Sequence, residues 1–153
     1  MTTANAGSNS DAVITGYRVQ LAALTRLLHK EGILTYSGHA RIRIPGRDAF
    51  MIQSINDSRA GINPEGLLIC DFDCNLLEGP AGDRPPVEAH IHAQILRARP
   101  DIETVVHTHS ELAAMFTMIE GVELALMKSH AQRWKSGVPI HGDPSHILSA
   151  RQG

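Results

Sequence analysis

Aromatic side chains are scarce in this chain: one tryptophan, two tyrosines and three phenylalanines among 153 residues. So few rings offer little on which bases or sugars could stack, and the core must be built from aliphatic side chains. A basic excess is missing too. Fourteen Lys and Arg stand against 16 Asp and Glu, a formal charge of −2, so the electrostatic footprint of phosphate-backbone binding is absent and nucleic acid is not an expected partner. No run approaches the roughly 18 apolar residues of a membrane span. The opening MTTANAGSNS has neither the basic nor the apolar region of a secretory signal, so a cytoplasmic chain without a membrane partner is expected. Two cysteines, Cys70 and Cys74, cannot make a disulfide framework and read as small buried apolar residues.

Histidine is what the chain has in plenty: nine, several closely spaced, as in His90 with His92, His107 with His109, and His141 with His146. A hydrophobic share of 42% with 20% charged residues describes an ordinary globular domain. Residues 1–10 are small and polar and read as a disordered lead-in to one domain over 11–153. Ser10 or Asp11 can cap a helix whose apolar positions Val13, Tyr17, Leu21, Leu24 and Leu28 recur at helical spacing until Gly32 stops it. Ala40 to Ile44 alternates strictly, Pro45-Gly46 turns, and Ala49 to Ile52 is apolar, which predicts a hairpin. That alternation puts His39, Arg41 and Arg43 on one face, with the arginines in solvent or paired with acids. Residues 53–66 read as loop and Leu67 to Phe72 as a buried strand. Pro85 and Pro86 suit the first turn of a helix over Val87 to Arg99, Thr104 to Thr108 is a β-branched strand, and Ser110 opens a helix through Met118. A short strand is expected at 122–126. The alternation of helices and strands predicts an α/β or α+β sandwich around one sheet.

In VVHTHS the two imidazoles stand at i and i+2 near a strand end, so the pleat aims both at one face and they can hold one ion. Glu88, at the start of the preceding helix, joins them if the helix–strand unit folds back suitably. Two neutral nitrogens and one carboxylate then make a divalent-ion site with open positions for substrate. Taken alone, Glu88 reads better as an acid favoured by the helix macrodipole.

The stretch PPVEAHIHAQILRARPDIETVVHTHS resembles the class II aldolase/adducin family in its glutamate at the helix start, its ARPD turn and its VVHTH strand. Helix one, the strand after SGH, FMIQ and PEGLLICDFD resemble the family's opening in the same order, so the similarity runs over about residues 12–150. The resemblance implies a three-layer α/β sandwich, with a central, mostly antiparallel sheet between helices. It also implies a homotetramer and one divalent ion per subunit, zinc or manganese. By the same resemblance His107 and His109 are metal ligands, and Glu88 is a ligand that also acts as acid or base. His92 is expected to orient Glu88 or pack beneath it, and His90 to lie on the surface. The third histidine usual in the family lies beyond Gly153, so the chain is expected to be a fragment or to hold its ion by three protein ligands.

Sugar-phosphate members of the family cradle phosphate with Gly-Asn, Thr/Ser-Gly and Ser-Ser segments. Here those places hold Gly38-His39, the stretch from Gln53 to Asn56, and Pro86-Val87, and Pro86 lacks an N–H donor. The Gly-His variant, with a loop containing Ser58 and Arg59, resembles the family's decarboxylase branch, and Arg59 suits bidentate pairing with a carboxylate. The expected activity is therefore metal-dependent decarboxylation of a hydroxy-aromatic or ring-cleavage carboxylic acid. Glu88 and His39 are the catalytic candidates, and Gly38, His39, Ser58 and Arg59 would bind substrate. Two alternatives stand beside it: a class II aldolase acting on a small sugar or sugar phosphate, and a non-catalytic adducin-like domain.

Overall fold

A computed structural model describes residues 5–122, 129–143 and 145–152. The chain divides into two compact units, one taking in residues up to Thr108 with the tail from Ile147, the other running from His109 to His146.

The first unit opens with helix α1 (Asn5–Lys30). Ile14, Tyr17, Leu21, Leu24 and Leu28 recur every three or four residues and face the sheet. Gly32 ends the helix at φ +70°. There its own N–H donates to the carbonyl of His29 and that of Ile33 to Leu28, a paired closure that needs a left-handed residue between them. The helix starts earlier than expected: residues 5–10 belong to it instead of a lead-in, while residues 1–4 lie outside the described part.

Strands β1 (His39–Arg43), β2 (Ala49–Ile52), β3 (Leu68–Asp71), β4 (Leu76–Glu78) and β5 (Thr104–His107) form one sheet in the order β4-β3-β2-β1-β5. Every neighbouring pair is antiparallel. The pleat sends Ala40, Ile42, Met51 and Ile69 to the α1 side. Phe50, Ile52, Leu68 and Cys70 go to the other, which helix α2 (Ala89–Ala98) covers with Ala89, Ala93 and Leu96. The unit is thus the three-layer antiparallel sandwich that the resemblance implies. Strand β4 was not expected. It is held by a turn in which the Asp71 carboxylate accepts from the backbone N–H groups of Asp73 and Asn75 and from the Asn75 side chain.

Arg41 and Arg43 differ from expectation. Arg41 is fully buried, and its guanidinium lies 5.8 Å from the centre of the Phe50 ring. None of its nitrogens has a hydrogen-bond partner among the described residues. Burial, and then the charge of Arg43, push it down to about 9. Arg43 donates to the carbonyls of Leu96, Arg99 and Ile102. It therefore ties the C-terminal end of α2 to β1 with a cation where the helix dipole is negative.

In the second unit, helix α3 (Glu111–Thr117) is capped by the Ser110 hydroxyl, which accepts from the N–H of Ala113. A 3₁₀ turn follows at Ser129–Trp134. Most of the strand expected at 122–126 falls outside the described residues. Among the described residues, no helix is long and apolar enough to cross a membrane.

Candidate active site

Two strand ends and one helix start make the site. β1 and β5 pair so that His39 and His107 are direct partners across the ladder, and their rings stack with centroids 5.0 Å apart. Such opposed positions carry side chains on the same face, here the face under α2. The backbone can close this tightly because residue 38 is glycine. It sits at φ +84°, and a Cβ there would come 2.7 Å from the carbonyl oxygen of His107 and 2.9 Å from a methyl of Leu34.

Glu88 precedes the first residue of α2 in the cap position, and its side chain does not cap the helix. The expected first turn over Pro86 and Val87 is instead a separate turn, in which the Ala89 N–H donates to the carbonyl of Pro86. A proline N–H is missing anyway, and the displaced start turns the Glu88 carboxylate towards the strand ends. Its Oε2 lies 3.4 Å from Nε2 of His107 and 3.8 Å from Nε2 of His39. The carboxylate and the His107 ring are about one-fifth exposed, so the cluster opens to solvent on one side, while His39 is buried.

Strand β5 ends at His107, so the pleat does not extend to His109. The boundary between the two units falls between Thr108 and His109, inside the motif, and the two covalent steps from His107 keep His109 near it. One ligand atom from each of Glu88, His107 and His109 lies within 4.8 Å of the other two. An oxygen and two imidazole nitrogens at such separations, partly open to solvent, fit a divalent ion that keeps free positions.

His92 packs inside the fold, and its hydrogen bond runs to the neighbouring strand. It is fully buried, and its Nε2 is hydrogen-bonded to Nδ1 of His39 at 2.5 Å. Burial, followed by the neighbouring His39, Arg41 and His107, pushes His92 down to about 2, so the ring is neutral. The signal was present in the sequence: Ala89, His92, Ala93 and Leu96 are spaced i, i+3, i+4, i+7 and together form the buried face of α2. His90, expected at the surface, is half-buried, with Nδ1 3.4 Å from the sulfur of Cys74. Burial, and then the acids Asp71 and Asp73, push that thiol up to about 11, which leaves it protonated and unreactive.

Of the residues expected to bind substrate, Gly38 and His39 are buried beside the carboxylate. Arg59 is half-buried and donates through Nε to the carbonyl of Gly38 at 3.0 Å, a bond that does not use its two terminal nitrogens. Ser58 is exposed in the same loop.

Comparison with known proteins points one way. Residues 19–150 match the family model for the class II aldolase and adducin N-terminal domain. A probable L-ribulose-5-phosphate 4-epimerase from Mycoplasma pneumoniae is 27% identical over 128 residues, which is 83% of this chain and 52% of that protein. A methylthioribulose-1-phosphate dehydratase from Pectobacterium atrosepticum is 29% identical over 129 residues, 81% of this chain and 62% of that one. The structure of an L-fuculose 1-phosphate aldolase from Glaciozyma antarctica superposes with a TM-score of 0.77 at 22% identity, covering 99% of this chain and 59% of that one. The chain thus spans between half and two thirds of the length of each. With the family model matching most of its residues, this chain belongs to the class II aldolase and adducin N-terminal domain family.

Proposed function

We propose that this chain carries the metal-binding and proton-transfer groups of an enzyme that builds up negative charge on the carbonyl oxygen of a small phosphorylated hydroxy-ketone. The observation that carries this reading is the convergence of Glu88 with His107 and His109, beside His39. The names of the epimerase, dehydratase and aldolase relatives all contain a phosphorylated ketose, which favours that substrate class over a carboxylic acid. Glu88, His107 and His109 would hold the ion, zinc or manganese. Once bound, it would supply Lewis-acid stabilisation of charge on the carbonyl oxygen. Glu88 accepts a proton from the substrate, and His39 supplies one to the carbon or oxygen left negative. Gly38 lets the backbone before β1 close against the end of β5, and Arg59 holds the Gly38 carbonyl in place. A homotetramer is the assembly we propose.

Decarboxylation of a hydroxy-aromatic or ring-cleavage acid is a second reading, favoured by one specific feature. His39 and Pro86 replace residues that would cradle phosphate, and Arg59, next to Gly38, suits pairing with a carboxylate. Both readings need the same ion and the same acid and base, so substrate assays separate them. Ketose phosphates should be cleaved, epimerised or dehydrated in a metal-dependent way. Release of carbon dioxide from hydroxylated aromatic or dienoic acids, with ketose phosphates untouched, would reverse the order. Elemental analysis should give close to one divalent ion per chain, lost in His107→Ala. Glu88→Gln should keep much of the metal, because the amide oxygen can still ligate, and should lose about 10²- to 10⁴-fold in rate. Unchanged metal content in His107→Ala and His109→Ala would leave the non-catalytic reading standing.

A further inference from the structure

Two arginines stand on one face of β1, and the fold makes use of only one. Arg43 donates to the carbonyls of Leu96, Arg99 and Ile102, so its charge closes a helix end. Arg41 is fully buried, and neither its Nε nor its two terminal nitrogens have a hydrogen-bond partner among the described residues. We propose that Arg41 is an electrostatic residue of the site: a buried charge, one level along the ladder from His39 and His107, that favours an anion at the open metal positions and weakens the grip on the divalent ion. This deepens the metal proposal and rests on it.

The register places the charge. Arg41 pairs with Val105 as His39 pairs with His107, and the two levels are two strand steps apart, about 7 Å. Residues two apart share a face, so Arg41 and His39 lie on the same side of the sheet. Its neighbours there offer no compensation. Ile52 on β2 and Val105 on β5 are apolar, and the guanidinium lies 5.8 Å from the centre of the Phe50 ring. The buried face of α2 consists of Ala89, His92, Ala93 and Leu96, none of them acidic. Arg43, the other cation of the strand, adds charge of the same sign. A cation–π contact offsets only part of what removing a cation from water costs.

The charge persists and reaches towards the site. Burial lowers Arg41 to about 9, which leaves it protonated at neutral pH. Its charge opposes a proton on His92, the ring that is hydrogen-bonded to His39. Within a water-free layer a charge is poorly screened, and the layer opens at Glu88 and His107, each about one-fifth exposed. The potential contributed there is positive. It raises the energy of a divalent cation and lowers that of an anionic ligand, or of a carbonyl oxygen gathering negative charge. A buried cation with no structural partner breaks the rules of a stable core, and such breaches concentrate at working sites.

Cobalt(II) serves as the probe ion, because its visible absorption reports its own ligands and any anion that joins them. The full chain should take up cobalt, and His107→Ala should lose it. Arg41→Met and Arg41→Gln both remove the charge and differ in polarity. Each should bind cobalt about 10-fold more tightly than the wild type, and azide added to the cobalt-loaded protein about 3- to 10-fold more weakly. Disturbed packing alone would weaken both, so opposite shifts identify the charge. Should one variant fail to fold, the other carries the measurement. Unchanged affinities, or shifts of the same sign, in a folded variant overturn the inference, and the metal proposal stands as long as His107→Ala loses cobalt. Equal cobalt binding by the wild type and His107→Ala defeats the metal proposal and takes this inference with it.

Discussion

The two faces of the sheet are built on opposite terms. Towards α1, the strands and the residues flanking them send down Ala40, Ile42, Ile44, Ala49, Met51, Leu67 and Ile69, and the helix answers with Leu21 and Ala22; every one of them is apolar and buried. Towards α2, the same strands bury His39 and Arg41 among Phe50, Ile52, Leu68 and Cys70, and the helix adds His92 to its apolar residues. Both faces exclude water from their centres. One uses that exclusion for stability, because burying apolar area is favourable. The other spends part of it on holding charge and imidazole in fixed geometry, because a buried cation without a partner is costly. A scaffold face and a working face share a single sheet, and stability data on matched substitutions should tell them apart.

The largest difference should come from truncating the scaffold face. Leu21 is fully buried in the α1 core, so Leu21→Ala removes packed methyl groups and leaves a cavity, at a cost of about 2–5 kcal/mol. Urea unfolding should show a lowered midpoint with an unchanged slope. A cost below about 1 kcal/mol would mean that α1 is not seated on the sheet as described.

On the working face the sign should reverse. Arg41→Met keeps much of the side-chain volume and replaces a buried cation that has no hydrogen-bond partner among the described residues with an apolar group. Stability should stay level or rise, by about 1 kcal/mol or more. If Arg41→Met instead destabilises the protein by more than about 2 kcal/mol, Arg41 has an anionic partner in solution and the two faces differ less than their side chains suggest.

The two faces also differ in how well a sequence discloses them. Strict alternation from Ala40 to Ile44 and the heptad-like spacing of Leu21, Leu24 and Leu28 were enough to place α1, β1 and β2, since periodicity reports burial directly when the buried face is apolar. The grouping of Glu88, His107 and His109 was legible from the His-x-His pair and, for Glu88, from the family resemblance rather than from its own position. The burial of Arg41 was not, since residue type assigns an arginine to solvent unless the tertiary context overrides it. Strand β4 escaped for a different reason: three exposed residues have no period, and their pairing is set by the Asp71 turn rather than by their own pattern. His92 lay between these cases: its burial was visible in the spacing of α2 and packing beneath Glu88 was one expectation, but its hydrogen bond to His39 was not, because that partner is placed by strand β1. The division of the chain after Thr108 left no mark in composition, as no linker-like stretch separates His107 from His109.

The smallest expected effect is on pH dependence, and it isolates one ring of the working face. Burial and neighbouring positive charge push His92 down to about 2 in the folded chain, whereas an unfolded histidine titrates near 6.5. Below pH 6.5 the unfolded state therefore binds a proton that the folded state refuses, and acidification draws the equilibrium towards unfolding. Above pH 6.5 neither state holds that proton, and the contribution is flat. The slope approaches about 1.4 kcal/mol per pH unit for one group once the pH is well under 6.5. His92→Gln has no titrating ring and keeps a polar group beside His39, so its stability should fall less steeply between pH 6.5 and 5, with the difference between the two proteins close to one proton. Other groups titrate in the same window, but they are common to both proteins and cancel. Parallel curves would mean that His92 takes up a proton inside the fold and that burial does not hold the ring neutral.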